Sequence, residues 1–286
     1  MELHQFNFPC KGRGEVFELV GLGDIHYGTE SCDKSKLKRM VAWIKNRPNC
    51  YWVGLGDYTE NITYRDIRRF QPANIDRQYK ISDLQDWTTR CTDDLAQILR
   101  PIAGKCIGLA QGNHEFDALR NYDHDSTQRL CDNLGVKNLG WTCLTRLVFR
   151  RPGTKYRQPG CGITLLTEHS TVAGRKKGNK INRIEDRTSD FEFDIILWGH
   201  SHDKVGSKRT RLFLPKSGAL KLHTQEIVYG IVPSFLRTYE VGTTSYGERG
   251  GYSPTSLGII VITIKPFSTE QIDGIAIEKH DIHISQ

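Results

Sequence analysis

The stretch Ile195-Ile196-Leu197-Trp198-Gly199-His200-Ser201-His202 places two histidines directly after an apolar run of strand length. Four consecutive apolar residues followed by a glycine predict a buried β-strand that ends at residue 198. Residues two apart on an extended chain point the same way, so we expect His200 and His202 to face one point. This pair is the strongest single metal signal in the chain.

The same form recurs elsewhere, because most apolar runs of strand length end in a glycine or a small polar group with an ionisable residue. The other runs are 16–22, 51–55, 106–110, 163–167 and 211–214. Segments 34–46 and 84–99 have the apolar spacing of helices, and 256–265 and 274–285 predict later strands that continue or complete a second sheet. Strands that alternate with helices indicate an α/β layered architecture, in which functional residues collect at the carboxyl ends of strands.

The composition is that of an ordinary globular protein, with 37% hydrophobic and 26% charged residues in a chain of 286. No Pro/Gly/Ser linker, repeat or low-complexity tract divides the chain, so we expect one domain over residues 1–286. Residues 58–85 lack a clear periodicity and are predicted to be an insertion at the active site.

The expected location is the cytoplasm, without a membrane association. No apolar run approaches the roughly 18 residues of a membrane span, and the N-terminal residues lack the pattern of a signal peptide. The eight cysteines are scattered, and none form a C-x-x-C pair, which favours reduced structural thiols. The formal charge of +7 is compatible with an anionic partner such as nucleic acid, although many basic proteins bind none.

Two further motifs place carboxylates at predicted strand ends. In Gly23-Asp24-Ile25-His26, the alternation turns Asp24 and His26 to one side, while in Val53-Gly54-Leu55-Gly56-Asp57 a glycine allows the backbone to approach the site closely. Each motif alone has an ordinary alternative, since aspartates at strand ends commonly form Asx turns or helix caps.

Two more motifs bring an amide and imidazoles. Gln111-Gly112-Asn113-His114-Glu115 has three functional groups in a row, in which the Asn113 carbonyl can bind a hard cation and His114 is free to act as an acid or to hold phosphate. Glu115 or Asp117 is a candidate to orient His114. His169, after the run 163–167, is by itself more typical of a histidine that serves a structural hydrogen bond.

Together the five motifs supply seven candidate ligands, which exceeds the need of one ion and suggests two. These ligands are Asp24, His26, Asp57, Asn113, His169, His200 and His202. A mixture of imidazole, carboxylate and amide donors suits Mn²⁺, Fe or Zn²⁺, whereas Ca²⁺ prefers only oxygens and a structural zinc prefers thiolates. We expect two divalent ions, Mn²⁺ first, with Fe, Zn²⁺ and Ni²⁺ as alternatives.

The ordered set resembles the calcineurin-like metallophosphoesterase superfamily, with its signature of D-x-H, G-D, G-N-H-[D/E], a single histidine and G-H-x-H over residues 23–202. The resemblance implies an α/β fold, a four-layer α/β/β/α sandwich of two mixed sheets flanked by helices. It also implies that Asp24, His26 and His202 hold one ion, that Asn113, His169 and His200 hold the other, that Asp57 bridges them and that His114 is catalytic.

The chain departs from the family pattern at two positions. Glu60 stands where many members have a second Asp, and Ser170 stands where many have Gly. The forms around Asp24 and Asn113 are also similar to those of the DNA-repair nucleases in the superfamily, and the run 246–258 resembles phage-encoded members.

We therefore predict a dinuclear metal-dependent phosphoesterase that acts on nucleic-acid or nucleotide phosphodiesters, with an attacking hydroxide that bridges two ions. The basic residues Arg175, Lys176 and Lys177 in the run 174–183 are candidate substrate-binding groups, with a solvated loop as the equal alternative. Arg65, Arg68 and Arg69 form a second basic cluster. A protein or small-molecule phosphomonoesterase on the same metal core and a non-catalytic metal-binding scaffold are the alternatives, and the sequence leaves the oligomeric state open.

Overall fold

The structure, a computed structural model, describes residues 1–12, 14–61, 63–64, 70–150, 161–172, 176–214, 220, 222–239, 245–272 and 275–285. The strands in the described residues are β1 (Glu2–Pro9), β2 (Phe17–Leu22), β3 (Cys50–Leu55), β4 (Cys106–Ala110), β5 (Asn138–Gly140), β6 (Thr142–Arg150), β7 (Cys161–Glu168), β8 (Ile195–Trp198), β9 (Val205–Phe213), β10 (His223–Ile231), β11 (Ile260–Ile272) and β12 (Ile275–Ser285). The α-helices are α1 (Lys34–Lys45), α2 (Trp87–Leu99), α3 (Asn113–Tyr122), α4 (Ser126–Leu134), α5 (Lys177–Asp190) and α6 (Tyr246–Arg249).

The strands form two six-stranded mixed sheets. One has the order β1-β6-β7-β8-β10-β9, and the other has the order β12-β11-β2-β3-β4-β5. Strands β2, β3, β4 and β5 run parallel, as do β7, β8 and β10. Parallel neighbours end at the same edge of their sheet, so the loops that follow them are gathered together.

Three apolar cores separate four layers. Between the sheets, the rings of Phe8 and Phe149 stack with their centroids 4.4 Å apart, and Phe17 of the other sheet packs edge-on against Phe149. Helices α1, α2 and α4 cover the outer face of the sheet that contains β3, where the buried Trp52 donates its indole N–H to the Ile102 carbonyl. Helix α5 covers the other sheet through Ile184. The α/β/β/α sandwich of two mixed sheets is confirmed.

The elements predicted from apolar patterning are present with small shifts at their ends. The run 211–214 falls at the end of the longer strand β9, and the second predicted helix begins at Trp87 rather than at residue 84. The C-terminal strands β11 and β12 extend the sheet that contains β2, with β11 antiparallel to β2. That edge completes a second sheet, as the sequence predicted.

The described part of the predicted insertion lies beside the loop that follows β2. It contains short 3₁₀ turns at Pro72–Asn74 and Ile81–Asp83, and the Asp76 N–H donates to the Gly28 carbonyl. That this segment is an insertion at the active site stays a prediction, as does the single domain over residues 1–286. Within the described residues, no helix is both long enough and apolar enough to span a membrane.

Candidate metal centre

All five motifs converge, because each follows a strand whose carboxyl end lies at the same edge of the sandwich. Asp24 follows β2, Asp57 follows β3, Asn113 opens α3 after β4, His169 follows β7, and His200 follows β8. The backbone ties these loops to one another: the Asp24 N–H donates to the Gly56 carbonyl at 2.9 Å, and both carboxylate oxygens of Asp24 accept from the His200 N–H at 3.0 Å.

The first cluster consists of Asp24, His26 and His202, whose ligand atoms all lie within 4.8 Å of one another. The Nε2 atoms of His26 and His202 are 3.2 Å apart, and His202 Nε2 is 3.4 Å from Asp24 Oδ1. Asp24 is completely buried. A buried carboxylate that faces two imidazole nitrogens suits a divalent cation, which would compensate the cost of burying its charge.

The second cluster consists of Asp57, His169 and His200, again within 4.8 Å. His169 Nε2 lies 3.3 Å from Asp57 Oδ2, and the same oxygen lies 3.9 Å from His26 Nε2 in the first cluster. Asp57 is thus the one carboxylate among the described residues that reaches both groups of histidines, and it is almost completely buried.

Asn113 provides a test of whether this donor set fits a cation. His169 donates its Nδ1–H to the Leu55 carbonyl at 2.6 Å, so the ring in its neutral, metal-binding form presents a lone pair on Nε2. That lone pair faces Asn113 Oδ1 at 3.0 Å, and His200 Nδ1 faces the same oxygen at 2.8 Å. A cation between these acceptors would relieve their repulsion. Without a cation, an amide rotation lets the Asn113 nitrogen donate to both histidines and to Asp57, or a proton on His169 donates to the Asn113 oxygen. The set therefore fits a metal ion that takes nitrogen and oxygen ligands.

The backbone at the centre is held in an unfavourable region. Among the described non-glycine residues, seven have positive φ, and five of these are predicted ligands: Asp24, His26, Asp57, His200 and His202, with φ between 48° and 76°. The left-handed region costs a non-glycine residue about 1 kcal/mol or more, and such strain collects at functional sites.

Two glycines allow the loops to meet. A Cβ on Gly56, which has φ +84°, would lie 2.5 Å from the Gly112 Cα, and a Cβ on Gly199 would lie 2.3 Å from the Leu55 carbonyl oxygen. Any side chain at either position would force the β3 and β8 loops away from His169.

Glu60 contacts two histidines of the centre in different ways. Its carboxylate accepts from His26 Nδ1 at 2.9 Å, which leaves the His26 Nε2 lone pair for a metal. Its backbone carbonyl accepts from His114 Nδ1, so this hydrogen bond leaves the other ring nitrogen, Nε2, of His114 unused. The Glu60 carbonyl thus orients His114, and the orienting role expected for Glu115 or Asp117 stays a prediction.

Glu115 instead binds the backbone of two motifs. Its carboxylate accepts from the N–H groups of Asp57 at 2.9 Å, Tyr58 at 2.8 Å and Thr59 at 3.3 Å, and from Gly112 at 3.1 Å. The side chain is buried. The sequence offered Glu115 as a candidate to orient His114, whereas the structure shows that its carboxylate fixes the Asp57 loop against α3.

Charges within the centre shift the histidines in opposite directions. Burial is the largest single influence on His114 and on His169 and opposes their charged forms. The Asp57 carboxylate, together with Glu60 at His114 and with Asp24 and the Leu55 carbonyl at His169, nevertheless raises the pKa to about 9 for His114 and to about 10 for His169. Burial, together with the nearby His169, lowers the pKa of His200 to about 4. The Asp57 carboxylate is opposed by burial, yet the facing His169 and His114 hold its pKa well below the usual value.

Two of the three predicted substrate-binding residues lie within the described residues. Arg175 lies outside the described residues, as do Arg65, Arg68 and Arg69, whereas Lys176 and Lys177 are exposed where α5 begins.

The remainder of the basic run belongs to α5 rather than to a loop. Lys180 is buried, and its Nζ donates to the Ser201 carbonyl at 2.8 Å and to Asp203 Oδ2 at 2.5 Å. Ser201 lies between His200 and His202, so this lysine fixes the histidine loop and is not available to a substrate.

Comparison with known proteins identifies the family. The family model of the calcineurin-like phosphoesterases matches residues 17–204, more than half of the chain. No curated protein sequence matches. Similar solved structures include a Zn²⁺ complex of wild-type Vps29 from Entamoeba histolytica, at 10% identity and a TM-score of 0.37, with 93% of this chain and 99% of that chain covered. A conserved uncharacterized protein from Streptococcus pneumoniae, described as a predicted phosphoesterase, has 11% identity, a TM-score of 0.33 and the same coverage. The family match spans all five motifs, and the chain belongs to the calcineurin-like phosphoesterase family of metal-dependent hydrolases of phosphoric esters.

Proposed function

We propose that this protein hydrolyses phosphodiester bonds of nucleic acids or nucleotides, with two divalent ions, Mn²⁺ first, at the candidate metal centre. The observation that carries the proposal is the pair of ligand clusters joined by Asp57, beside which a His114 ring nitrogen lies within 4.8 Å of ligand atoms of His26 and Asp57. This arrangement supports a site in which one phosphate contacts the metal-binding groups and His114 together.

The residues would divide between the two ions as the family pattern implies. Asp24, His26 and His202 would hold one ion, and Asn113, His169 and His200 would hold the other, with Asp57 common to both. Two divalent ions supply Lewis-acid activation of a phosphate and of the water that attacks it.

His114 acts on the leaving oxygen. Its Nδ1–H is bound by the Glu60 carbonyl, and this hydrogen bond sets the ring's orientation. A proton on Nε2 can then be given to the alkoxide as the ester bond breaks, a role that is typically worth about 10²–10⁴ in rate. The His114 N–H also donates to Asp57 Oδ1 at 3.0 Å, which ties the acid to the bridging carboxylate.

The positive charge of the chain supports a diester within a polymer or nucleotide. The chain carries a formal +7, and Lys176 and Lys177 are exposed on the segment that leads from His169 into α5. Cations beside a scissile phosphate can hold its neighbours in a nucleic acid. The eight cysteines, all among the described residues, form no disulfide, which supports our proposal of a reducing, cytoplasmic compartment.

The test is cleavage of end-labelled single- and double-stranded DNA and RNA by Mn²⁺-loaded protein, read on a denaturing gel. We expect metal-dependent fragments from the wild type that are lost in His114→Ala and Asp57→Asn. His223→Ala is the matched control, because His223 is exposed on β10 outside the centre. Intact nucleic acid together with turnover of a phosphomonoester would refute the diester proposal, and retained cleavage in Asp57→Asn would refute the assignment of the site.

A further inference from the structure

Two aromatic side chains stand beside the half of the centre that contains His169. The Trp141 ring packs edge-on against the His169 ring, with centroids 5.7 Å apart, and Phe116 packs edge-on against Trp141 at 5.8 Å. His169 is fully buried, Trp141 is partly exposed, and Phe116 is 41% exposed. The pair therefore leads from the buried ligand to the surface.

The fold holds both rings at this edge. Phe116 is three residues after Asn113 on α3, and residues at this spacing share one face of a helix, so Phe116 lies on the face that carries Asn113 towards the histidines. Trp141 immediately precedes β6, and its carbonyl accepts from the His169 N–H at 3.3 Å. Both aromatic residues are thus anchored to residues expected to hold the same ion.

The geometry points to a binding subsite for the aromatic base of a nucleotide, formed by Phe116 and Trp141, next to the phosphate position at Asn113 and His169. The inference rests on the proposed function and names the group that the site recognises beyond the phosphate. The two ring planes meet at 78°, which forms a corner where a planar base stacks on one ring while its edge meets the other.

An aromatic pair that reaches the surface beside a reaction centre is also a feature that proteins use to bind single-stranded nucleic acid. Base–aromatic stacking tolerates any base, because every base has a π-face, and it gives affinity without sequence preference.

The experiment compares two ligands that share a phosphate and a sugar but differ in the base. Thymidine monophosphate and deoxyribose phosphate are titrated calorimetrically into Mn²⁺-loaded His114→Ala protein, in which turnover does not interfere. Phe116→Ala, Trp141→Leu and the conservative Trp141→Phe are introduced into this background. Phe116→Ala decides the outcome if Trp141→Leu does not fold, since Phe116 is the exposed member.

We expect the base-bearing ligand to bind about 5- to 150-fold more tightly, the range that one stacked base contributes. Phe116→Ala and Trp141→Leu should lose most of this preference without changing the affinity for deoxyribose phosphate, and Trp141→Phe should keep it. Equal affinities of the starting protein for the two ligands, or equal weakening of both ligands in the variants, would overturn the subsite.

The subsite and the proposed function fail separately. Cleavage of nucleic acid by the wild type without a base preference would overturn the subsite alone. A base preference that depends on Phe116 in a protein that cleaves no diester would support the subsite and overturn the diesterase.

Discussion

Replacing Glu60 by glutamine should weaken metal binding more than it impairs chemistry. The Glu60 carboxylate accepts from His26 Nδ1 at 2.9 Å, and the side chain is 18% exposed, so the contact is largely screened from water. An ionised partner on Nδ1 fixes the ring and makes Nε2 a better ligand. The Glu60 contact with His114 is made by the backbone and survives the substitution.

The magnitude follows from the kind of bond that is lost. Removing the group that orients a metal-binding histidine typically costs about 10- to 100-fold in metal affinity, or about 1.4–2.7 kcal/mol. The glutamine oxygen can still accept from Nδ1, so we expect about 10-fold for Glu60→Gln and about 100-fold for Glu60→Ala. At saturating Mn²⁺, kcat should stay within about 3-fold of the wild type, since removal of a general acid costs far more.

The assay is competition for Mn²⁺ against a chelator, followed by hydrolysis at saturating metal. Glu30→Gln is the matched control, because Glu30 lies on the same loop as His26 and pairs with the exposed Arg77 instead of the centre. Unchanged Mn²⁺ affinity in Glu60→Ala would refute the orienting role. A loss of kcat that excess metal does not restore would show that the carboxylate acts in the chemistry itself.

Three further predictions concern stability. Lys180→Met should lower the free energy of unfolding, measured in urea, by about 3 kcal/mol, because it leaves the Asp203 carboxylate charged, unpaired with this lysine and only 14% exposed. A loss below about 1 kcal/mol would contradict this expectation. Mn²⁺ at 100 times its Kd should raise the free energy of unfolding by about 2.7 kcal/mol through mass action. The same Mn²⁺ concentration should stabilise Asp57→Asn much less, and equal stabilisation of the two proteins would place the ion elsewhere. Burial raises the pKa of the Cys32 thiol to about 12, whereas the thiol of the unfolded chain has a pKa of about 8.5. The contribution of this thiol to the free energy of unfolding is therefore fully present below about pH 8.5 and is lost as pH rises through about 12. Between pH 8.5 and pH 10, the wild type should therefore lose about 2 kcal/mol more unfolding free energy than Cys32→Ala, and parallel losses would contradict the shift.

Buried parallel strands were the most predictable part of this protein. All six residues of β3 and all four residues of β8 are buried, so each appears in the sequence as an uninterrupted apolar run. Because a ligand follows each run, the same pattern predicted the strand, its end and the site. The order of the motifs along the sequence was then enough to predict which residues meet at the centre, although the order of the strands in the sheets was unknown.

Helix α5 was missed because its buried face is mostly polar. Its buried residues are Lys180, Ile184 and Thr188, four residues apart, and two of the three are polar. An apolar periodicity cannot mark such a face, and the run of cations around Lys180 looked like a solvated segment. The signal that could have been used is the spacing itself, with a buried lysine that requires an acidic partner such as Asp203.

The role of Glu60 could not be read from sequence for a different reason. The sequence showed only that Glu60 stands where many family members have Asp, whereas in the structure its carboxylate contacts His26, 34 residues earlier in the chain. The group that a carboxylate reaches depends on the length of its side chain and on the backbone conformation of its loop. In this loop, Asp57 and Asn61 on either side of Glu60 both have left-handed conformations. The longer side chain reaches His26 while the Glu60 carbonyl binds His114, so one residue serves both a ligand and the acid. The chemistry of the motif was therefore predictable from residue types, but the connection between its parts depends on backbone geometry that residue types do not specify.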